Sequence, residues 1–237
     1  MCYICYIIIF FFTIIMRKKC CLIYWGLVRG FKYDWVYDSH NKNIYNYLES
    51  NNIDVDVYIV TNDKDYDDTQ IKKINNLKKL VILNLDDINK LDIHDKLIKG
   101  FNFDSHFVDE SKLYLAYCYY NRKVIMDYIP NTYDFYISLD IQHLVEKFDF
   151  LKYLNPKVGI LSNHNKQLGV NPRVFIGNYE HTKIYNNIAD YALLGNYSHN
   201  PESLLNNYLK INKIPLFEID DILIHRVRAC GTILREV

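Results

Sequence analysis

The sequence predicts an α/β fold in which a mostly parallel sheet is flanked by helices within a single domain. After residue 16, short runs of β-branched and aromatic residues alternate with longer amphipathic stretches, as expected for parallel strands joined by crossover helices. The chain has 237 residues and half of them are apolar, which is enough to form one full core. No change in composition marks a linker, and no segment is repeated.

Seven strands and six helices are expected in chain order. The predicted strands are 20–26, 55–61, 79–84, 133–139, 157–161, 173–176 and 216–225. The predicted helices are 38–51, 69–77, 86–98, 110–129, 178–190 and 201–212. Helix 110–129 has the clearest signals, because Asp109 or Ser111 can cap its start and Pro130 stops it. Its predicted apolar face consists of Leu113, Ala116, Tyr117, Tyr120, Val124 and Tyr128.

Residues 1–16 form an apolar leader that precedes the predicted domain at 17–237, and Arg17-Lys18-Lys19 follows it directly. The leader is shorter than the roughly 20 residues that span a bilayer, and it lacks the features of a signal peptide. Two alternatives stay open: a short membrane anchor whose positive flank keeps the domain in the cytoplasm, or an extension upstream of a start at Met16. We expect a cytoplasmic domain in both cases, with membrane association through residues 1–16 in the first.

Composition and missing motifs exclude several classes of function. The chain carries 28 acidic and 28 basic side chains, so no charge excess favours binding to nucleic acid. The sequence contains no G-x-G-x-x-G, no Walker loop, no G-x-S-x-G and no H-E-x-x-H. Its six cysteines show no disulfide spacing, which favours reduced, structural thiols.

Three short loops hold half of the glycines and four of the seven arginines. They are Gly26-Leu-Val-Arg29-Gly30, Asn171-Pro-Arg173-Val-Phe-Ile-Gly177 and Arg226-Val-Arg228-Ala-Cys-Gly231. Glycine lets a backbone approach a ligand closely, and the arginine fork suits phosphate or carboxylate. Because open α/β sheets bind ligands at strand ends, we predict a binding site for an anion at these loops.

Two further groups offer chemistry at predicted element ends. Asp140 ends the apolar strand before it, where a carboxylate suits Mg²⁺ or Mn²⁺; the alternative is that it caps the next turn. His199 and Glu202 lie at the start of a predicted helix, whose dipole favours an ionised Glu202. Helix capping alone also explains Glu202.

Taken in order, these motifs resemble a group of glycosyltransferase-like proteins of large DNA viruses and of some bacteria and algae. The resemblance rests on Gly-x-x-Arg after the first strand, Tyr133-Asp-Phe-Tyr-Ile-Ser-Leu-Asp140, a Phe-Ile-Gly-Asn strand, His-x-x-Glu-x-x-Leu and a final Arg-Val-Arg, and it covers most of residues 20–232. It implies a GT-A-like Rossmann fold, a nucleotide-sugar donor and a divalent ion. The motif positions are Arg29, Asp140, Arg173, Gly177, Glu202, Arg226 and Arg228. The chain departs from the proteins it resembles at Ile137-Ser-Leu-Asp140, where they commonly show an Arg-x-Arg-x-Asp type of strand end.

The resemblance implies a glycosyltransferase that moves a sugar from a nucleotide donor to an acceptor the sequence does not identify. In this scheme Asp140 holds Mn²⁺ or Mg²⁺, and Glu202 or His199 is the general base. The donor-binding residues are Gly26, Arg29, Gly30, Arg173, Gly177, Arg226 and Arg228. The alternative is a non-catalytic protein of the same fold that binds a nucleotide or sugar or belongs to a virion. A third possibility is an enzyme acting on another phosphorylated molecule.

Overall fold

The computed structural model describes residues 17–64, 66–89, 109–164, 169–192, 194 and 201–234. The apolar leader 1–16 and the predicted base His199 lie outside these residues. Within the described part of the chain, no helix is long and apolar enough to cross a membrane.

The described residues contain ten strands, which form two sheets. The strands are β1 (Lys18–Trp25), β2 (Ile53–Asn62), β3 (Leu77–Leu83), β4 (Phe135–Asp140), β5 (His143–Phe148), β6 (Gly159–Ser162), β7 (Val174–Gly177), β8 (Leu216–Ile219), β9 (Ile222–Val227) and β10 (Ile233–Leu234). The large sheet has the order β3-β2-β1-β4-β7-β6-β8, and the small antiparallel sheet has the order β10-β9-β5. In the large sheet only β7 runs against its neighbours, so the predicted α/β fold with a mostly parallel sheet is confirmed.

Helices cover the large sheet. They are α1 (Asp34–His40), α2 (Asn46–Ser50), α3 (Leu85–Asn89), α4 (Asp109–Ile125), α5 (Tyr179–Asn186), α6 (Ile188–Ala192) and α7 (Pro201–Ile211). A π-helical turn at Asn41–Tyr45 joins α1 to α2. Single 3₁₀ turns lie at Ile71–Lys73, Met126–Tyr128 and Leu151–Tyr153.

The core forms on both faces of β1, which is buried from Cys20 to Trp25. Successive side chains of a strand point to opposite faces, so a central strand of a parallel sheet is apolar at every position. Leu22 lies in one cluster with Val36 and Ile44 of the α1–α2 helix. Ile23 lies in another cluster with residues of α4. The two helical segments therefore cover opposite faces of β1.

The small sheet packs on the α1–α2 side of the core and differs from the sequence prediction. The strand predicted at 216–225 is wrong as a single element, because a turn at Asp220 and Asp221 divides it into β8 and β9. The turn is fixed by Asp221, which accepts a hydrogen bond from Tyr153 at 2.6 Å and pairs with Lys152 at 2.8 Å. Strand β5 was not predicted, and a register shift after Val145 interrupts its pairing with β9.

The helix predictions have mixed outcomes. The helix predicted at 69–77 is wrong, since that segment contains a single 3₁₀ turn and then leads into β3. The helix predicted at 178–190 breaks at Asn187, and the one at 86–98 is described only as α3. Helix 110–129 is confirmed as α4 and the turn after it, although its buried face also includes a charged residue, Arg122.

Candidate functional site

The carboxyl ends of β1 and β4 form the candidate site. These strands are parallel neighbours, and Trp25 is paired with Asp140 at their ends. From β1 the chain continues through the α1–α2 helix to β2, and from β4 it continues through β5 to β6, so the two outgoing connections lead to opposite sides of the β1–β4 pair in the strand order. Open α/β sheets bind ligands where outgoing connections diverge in this way, and the loops at these two strand ends are called the crevice below.

Gly26 lies directly against the carboxylate of Asp140 in this crevice. Gly26 has a φ of 102°, and a Cβ atom added there would lie 2.7 Å from Oδ1 of Asp140. Only glycine meets both requirements without strain. The sequence prediction that these two residues belong to one strand edge therefore agrees with their placement.

The carboxylate of Asp140 is buried and held by its own chain. Oδ1 accepts a hydrogen bond from the Gln142 backbone at 3.2 Å, and Oδ2 accepts one from the Gln142 side chain at 3.1 Å. Nδ1 of His143 lies 3.5 Å from Oδ2. Burial acts to raise the pKa of Asp140, but the His143 ring and the Gln142 hydrogen bonds outweigh it and hold the pKa below its usual value. The carboxylate is therefore ionised at neutral pH.

These surroundings do not fit the divalent ion that the sequence analysis expected at Asp140. In the part of the chain that the structure describes, no group of three His, Cys, Asp or Glu side chains could hold a metal. Ser138, two residues earlier on the same face, accepts a hydrogen bond from Trp25 at 3.1 Å and donates one to Asn186 at 2.8 Å. Ser138 therefore links two elements of the fold and offers no second carboxylate beside Asp140.

The predicted arginine loops surround this strand end. A Cβ atom at Gly30, beside Arg29, would lie 3.0 Å from the backbone oxygen of Gln142 and 3.3 Å from that of Val227. Val227 stands between Arg226 and Arg228, so this contact brings two of the loops together.

Two backbone contacts place the remaining arginines. The amide of Asp140 donates to the backbone oxygen of Arg173 at 2.9 Å, and Arg226 is paired with His143 across β5 and β9. The structure therefore brings Gly26, Gly30 and the backbones of Arg29, Arg173, Arg226 and Arg228 together around residues 140–143.

Gly177 lies away from this strand end, and Glu202 lies in a helix beside the connection that leads into β7. Gly177 is paired with Tyr136 near the start of β4, because β7 is antiparallel to β4. A Cβ atom at Gly177 would lie 2.8 Å from the ring of Phe175, so packing accounts for this glycine. Glu202 lies in the first turn of α7, where its backbone oxygen accepts from the amide of Val170 at 3.4 Å. Gly177 is thus separated from the crevice, whereas Glu202 is joined to the connection that leads into β7.

Arg122 is a buried cation that the sequence analysis did not identify. Its side chain is fully buried, and its guanidinium carbon lies 3.8 Å from the ring centroid of Tyr185 and 5.0 Å from that of Trp25. Nη2 donates to the backbone oxygen of Tyr185 at 2.5 Å, and Nε donates to Asn186 at 3.4 Å. Nη1 is buried without a hydrogen-bond partner among the described residues.

Arg122 is connected to the strand end through Asn186. The same oxygen of Asn186 accepts from Arg122 and from Ser138, and Ser138 in turn accepts from Trp25. The available sequence signal was its spacing, four residues after Cys118 and three before Ile125, on the face of α4 that packs on the sheet. An arginine at such a position marks a cation inside the fold rather than on its surface.

A buried histidine supports the other side of the Asp140 turn. Nε2 of His40 lies 2.6 Å from the backbone oxygen of His143, and Nδ1 lies 2.7 Å from the hydroxyl of Tyr24. Because a carbonyl oxygen only accepts, Nε2 carries the proton and Nδ1 accepts from Tyr24. Burial lowers the pKa of His40 to about 4, so this histidine is neutral at pH 7.

No protein-family model and no curated protein matches the chain. Among solved structures, it is similar to the apo form of mouse xyloside xylosyltransferase 1. That similarity has a TM-score of 0.44 and 9% sequence identity, and it covers 85% of each chain.

We expect Gly26→Ala to lower the free energy of unfolding by about 1 to 3 kcal/mol, because alanine is strained at positive φ and its Cβ would meet the Asp140 carboxylate. Urea unfolding measures this loss. In an Asp140→Ala background the cost should fall, since the three atoms nearest to that Cβ all belong to Asp140. An equal cost in both backgrounds would contradict the contact.

His40 should make the fold sensitive to mild acid. In the unfolded chain His40 binds a proton below its usual pKa of 6.5, whereas in the folded chain it stays neutral until the pH reaches about 4. The free energy of unfolding should therefore fall as the pH drops from 6.5 to 4, by up to about 1.4 kcal/mol per pH unit. Urea unfolding across this range should show a flatter dependence for His40→Gln than for the wild type. The partly exposed His164→Gln serves as control, and an unchanged slope in His40→Gln would refute the assignment.

Proposed function

We propose that this chain is a glycosyltransferase-like protein that binds the diphosphate of a nucleotide-sugar donor at the carboxyl ends of β1 and β4, with arginines in place of a divalent ion. The observation that carries the proposal is the convergence of Gly26, Gly30 and the backbones of four arginines on the crevice beside Asp140. Glycines allow close backbone approach, and forked arginines bind diphosphate oxygens in pairs.

The charge distribution supports an anionic ligand. The chain as a whole has no net charge, yet four of its seven arginines have their backbones at this one edge. Arg122 adds a fifth cation behind the end of β1. Its buried guanidinium cannot rearrange with solvent, so it contributes a fixed positive field at the crevice.

In the transfer reaction, the bond between the sugar and the diphosphate breaks and the nucleoside diphosphate leaves with increased negative charge. Fixed cationic donors aimed at the leaving oxygens stabilise that charge in the transition state. Arg29, Arg173, Arg226 and Arg228 are the candidates for this role. Glu202 is the proposed general base that takes the proton from the acceptor hydroxyl, with His199 as the other candidate.

A second candidate function is donor binding without transfer. It is favoured by the state of Asp140, whose two carboxylate oxygens already accept hydrogen bonds within the chain, and by Ser138, which supplies no second acid two residues before it. In this case the crevice would retain a nucleotide or sugar ligand but lack the groups that promote its cleavage.

Calorimetric titration with UDP, GDP and their sugar conjugates tests the binding proposal. We expect one nucleotide series to bind with equal affinity in EDTA and in Mn²⁺, because the cations at the site belong to the chain. Arg226→Ala and Arg228→Ala should each weaken binding about tenfold or more, since each removes a charge-assisted contact. Arg17→Ala is the matched control, because Arg17 precedes β1 at the opposite end of the strand and pairs with Asp54. No binding in either condition, or binding that requires Mn²⁺, would refute the proposal.

Release of nucleoside diphosphate from the bound conjugate separates the two candidates. A transferase should release it slowly by hydrolysis even without the acceptor, and Glu202→Gln should reduce turnover in the presence of an acceptor without changing donor affinity. A protein that only binds should hold the intact conjugate in both forms. Mass spectrometry of the recovered ligand distinguishes these outcomes.

A further inference from the structure

The turn that follows β9 carries Arg228 on a short hairpin. The amide of Arg228 donates to the backbone oxygen of Thr232, and the amide of Gly231 donates to that of Arg228, both at 2.9 Å. The returning strand β10 is described over two residues, which pair with Val227 and Arg226 at the edge of the small sheet. Arg228 itself lies outside these pairs, on the exposed turn.

Tyr33 connects this turn to the loop after β1. Its hydroxyl donates to the backbone oxygen of Ala229 at 2.6 Å. Gly231 has a φ of 84°, and a Cβ atom there would lie 3.3 Å from the Tyr33 ring. The Tyr33 ring therefore packs against Gly231, whose positive φ is a backbone conformation that favours glycine.

Tyr33 is itself held on the side of the crevice. Its amide donates to the backbone oxygen of Gly30 at 3.4 Å, and its own backbone oxygen accepts from Val36 at 3.0 Å in the first turn of α1. Trp35 stacks on its ring, with centroids 5.7 Å apart and planes 20° from parallel. The hydroxyl thus extends from a rigid position at the start of a helix.

We infer that Tyr33 is a positioning residue that holds Arg228 at the rim of the crevice for contact with the diphosphate, an inference that rests on the proposed function. The contact from Tyr33 to Ala229 and Gly231 is called the Tyr33 latch. With the latch closed, the turn is ordered before the ligand arrives, so less conformational entropy is lost on binding. Without it, Arg228 remains on the chain but its place relative to the ligand is no longer fixed.

Tyr33→Phe tests the latch, because it removes the hydroxyl and keeps the ring. Tyr37→Phe is the matched control, since the Tyr37 hydroxyl donates to the backbone oxygen of Lys73 at 3.2 Å in a different contact of the same helix. The probes are UDP and GDP, titrated in EDTA. Tyr33→Phe should weaken binding of the nucleotide that binds the wild type about three- to tenfold, and Tyr37→Phe should leave its dissociation constant unchanged.

A double-mutant cycle shows whether Tyr33 acts through Arg228. If it does, Tyr33→Phe combined with Arg228→Ala should bind no more weakly than Arg228→Ala alone. Fold losses that multiply in the double variant would overturn the inference, because Tyr33 would then contribute without Arg228. Equal affinity of Tyr33→Phe and the wild type would also overturn it.

Hydrogen exchange examines the latch without any ligand. Amides of residues 229–232 should exchange faster in Tyr33→Phe than in the wild type and in Tyr37→Phe. The exposed Cys230 thiol offers a second readout, because its hydrogen bonds with Thr232 and the nearby Arg228 lower its pKa and depend on the shape of the turn. Its alkylation rate should change in Tyr33→Phe alone. Unchanged exchange and alkylation would overturn the latch, whereas both changes without nucleotide binding by the wild type would overturn the proposed function.

Discussion

The contact between Gly26 and the Asp140 carboxylate organises the edge of the sheet on which the candidate site depends. It joins the ends of two neighbouring parallel strands, and it requires a residue without a side chain directly after β1 so that the carboxylate can lie against the backbone. Asp140 is fixed in turn by Gln142 and His143, the residues through which the chain passes into β5. Because β5 pairs with β9, this one contact also determines where the loop with Arg226 and Arg228 stands.

Arginine side chains differ from a bound metal ion in two properties: their availability and the direction in which they bind phosphate. A side-chain guanidinium is present whatever the metal concentration, and its planar fork imposes a direction on the phosphate oxygens that it binds. The charge of an exposed arginine is screened by salt, whereas the charge of a buried one such as Arg122 is screened much less. The aromatic rings of Tyr185 and Trp25 offset part of the cost of burying that charge.

Much of the large sheet could be predicted from sequence because its strands have strong local signals. The run from Cys20 to Trp25 is apolar throughout, and this is the pattern of a strand covered on both faces. The grouping of the arginine loops could also be predicted, since strand ends meet at one edge whatever the details of packing.

The position of Gly177 could not be predicted, because no local pattern states that β7 runs in the reverse direction. Strand β5 was missed because its pairing contains a register shift, which breaks the alternation expected of a strand. Arg122 was missed because its burial depends on rings supplied by three separate elements.

Because β7 runs against its neighbours, the connection that enters it lies where those strands end, and the connection that leaves it lies where they begin. The connection that enters β7 through Arg173 reaches the edge of the candidate site, whereas the one that leaves it after Gly177 starts α5 at the far edge, where Asn178 caps the helix. In each of the other strands of this sheet, which run parallel to β1, the outgoing connection is the one at the edge of the candidate site. Insertions that diversify ligand preference would therefore be accommodated before β7 and not after it, and the capped helix start can remain constant while the crevice changes.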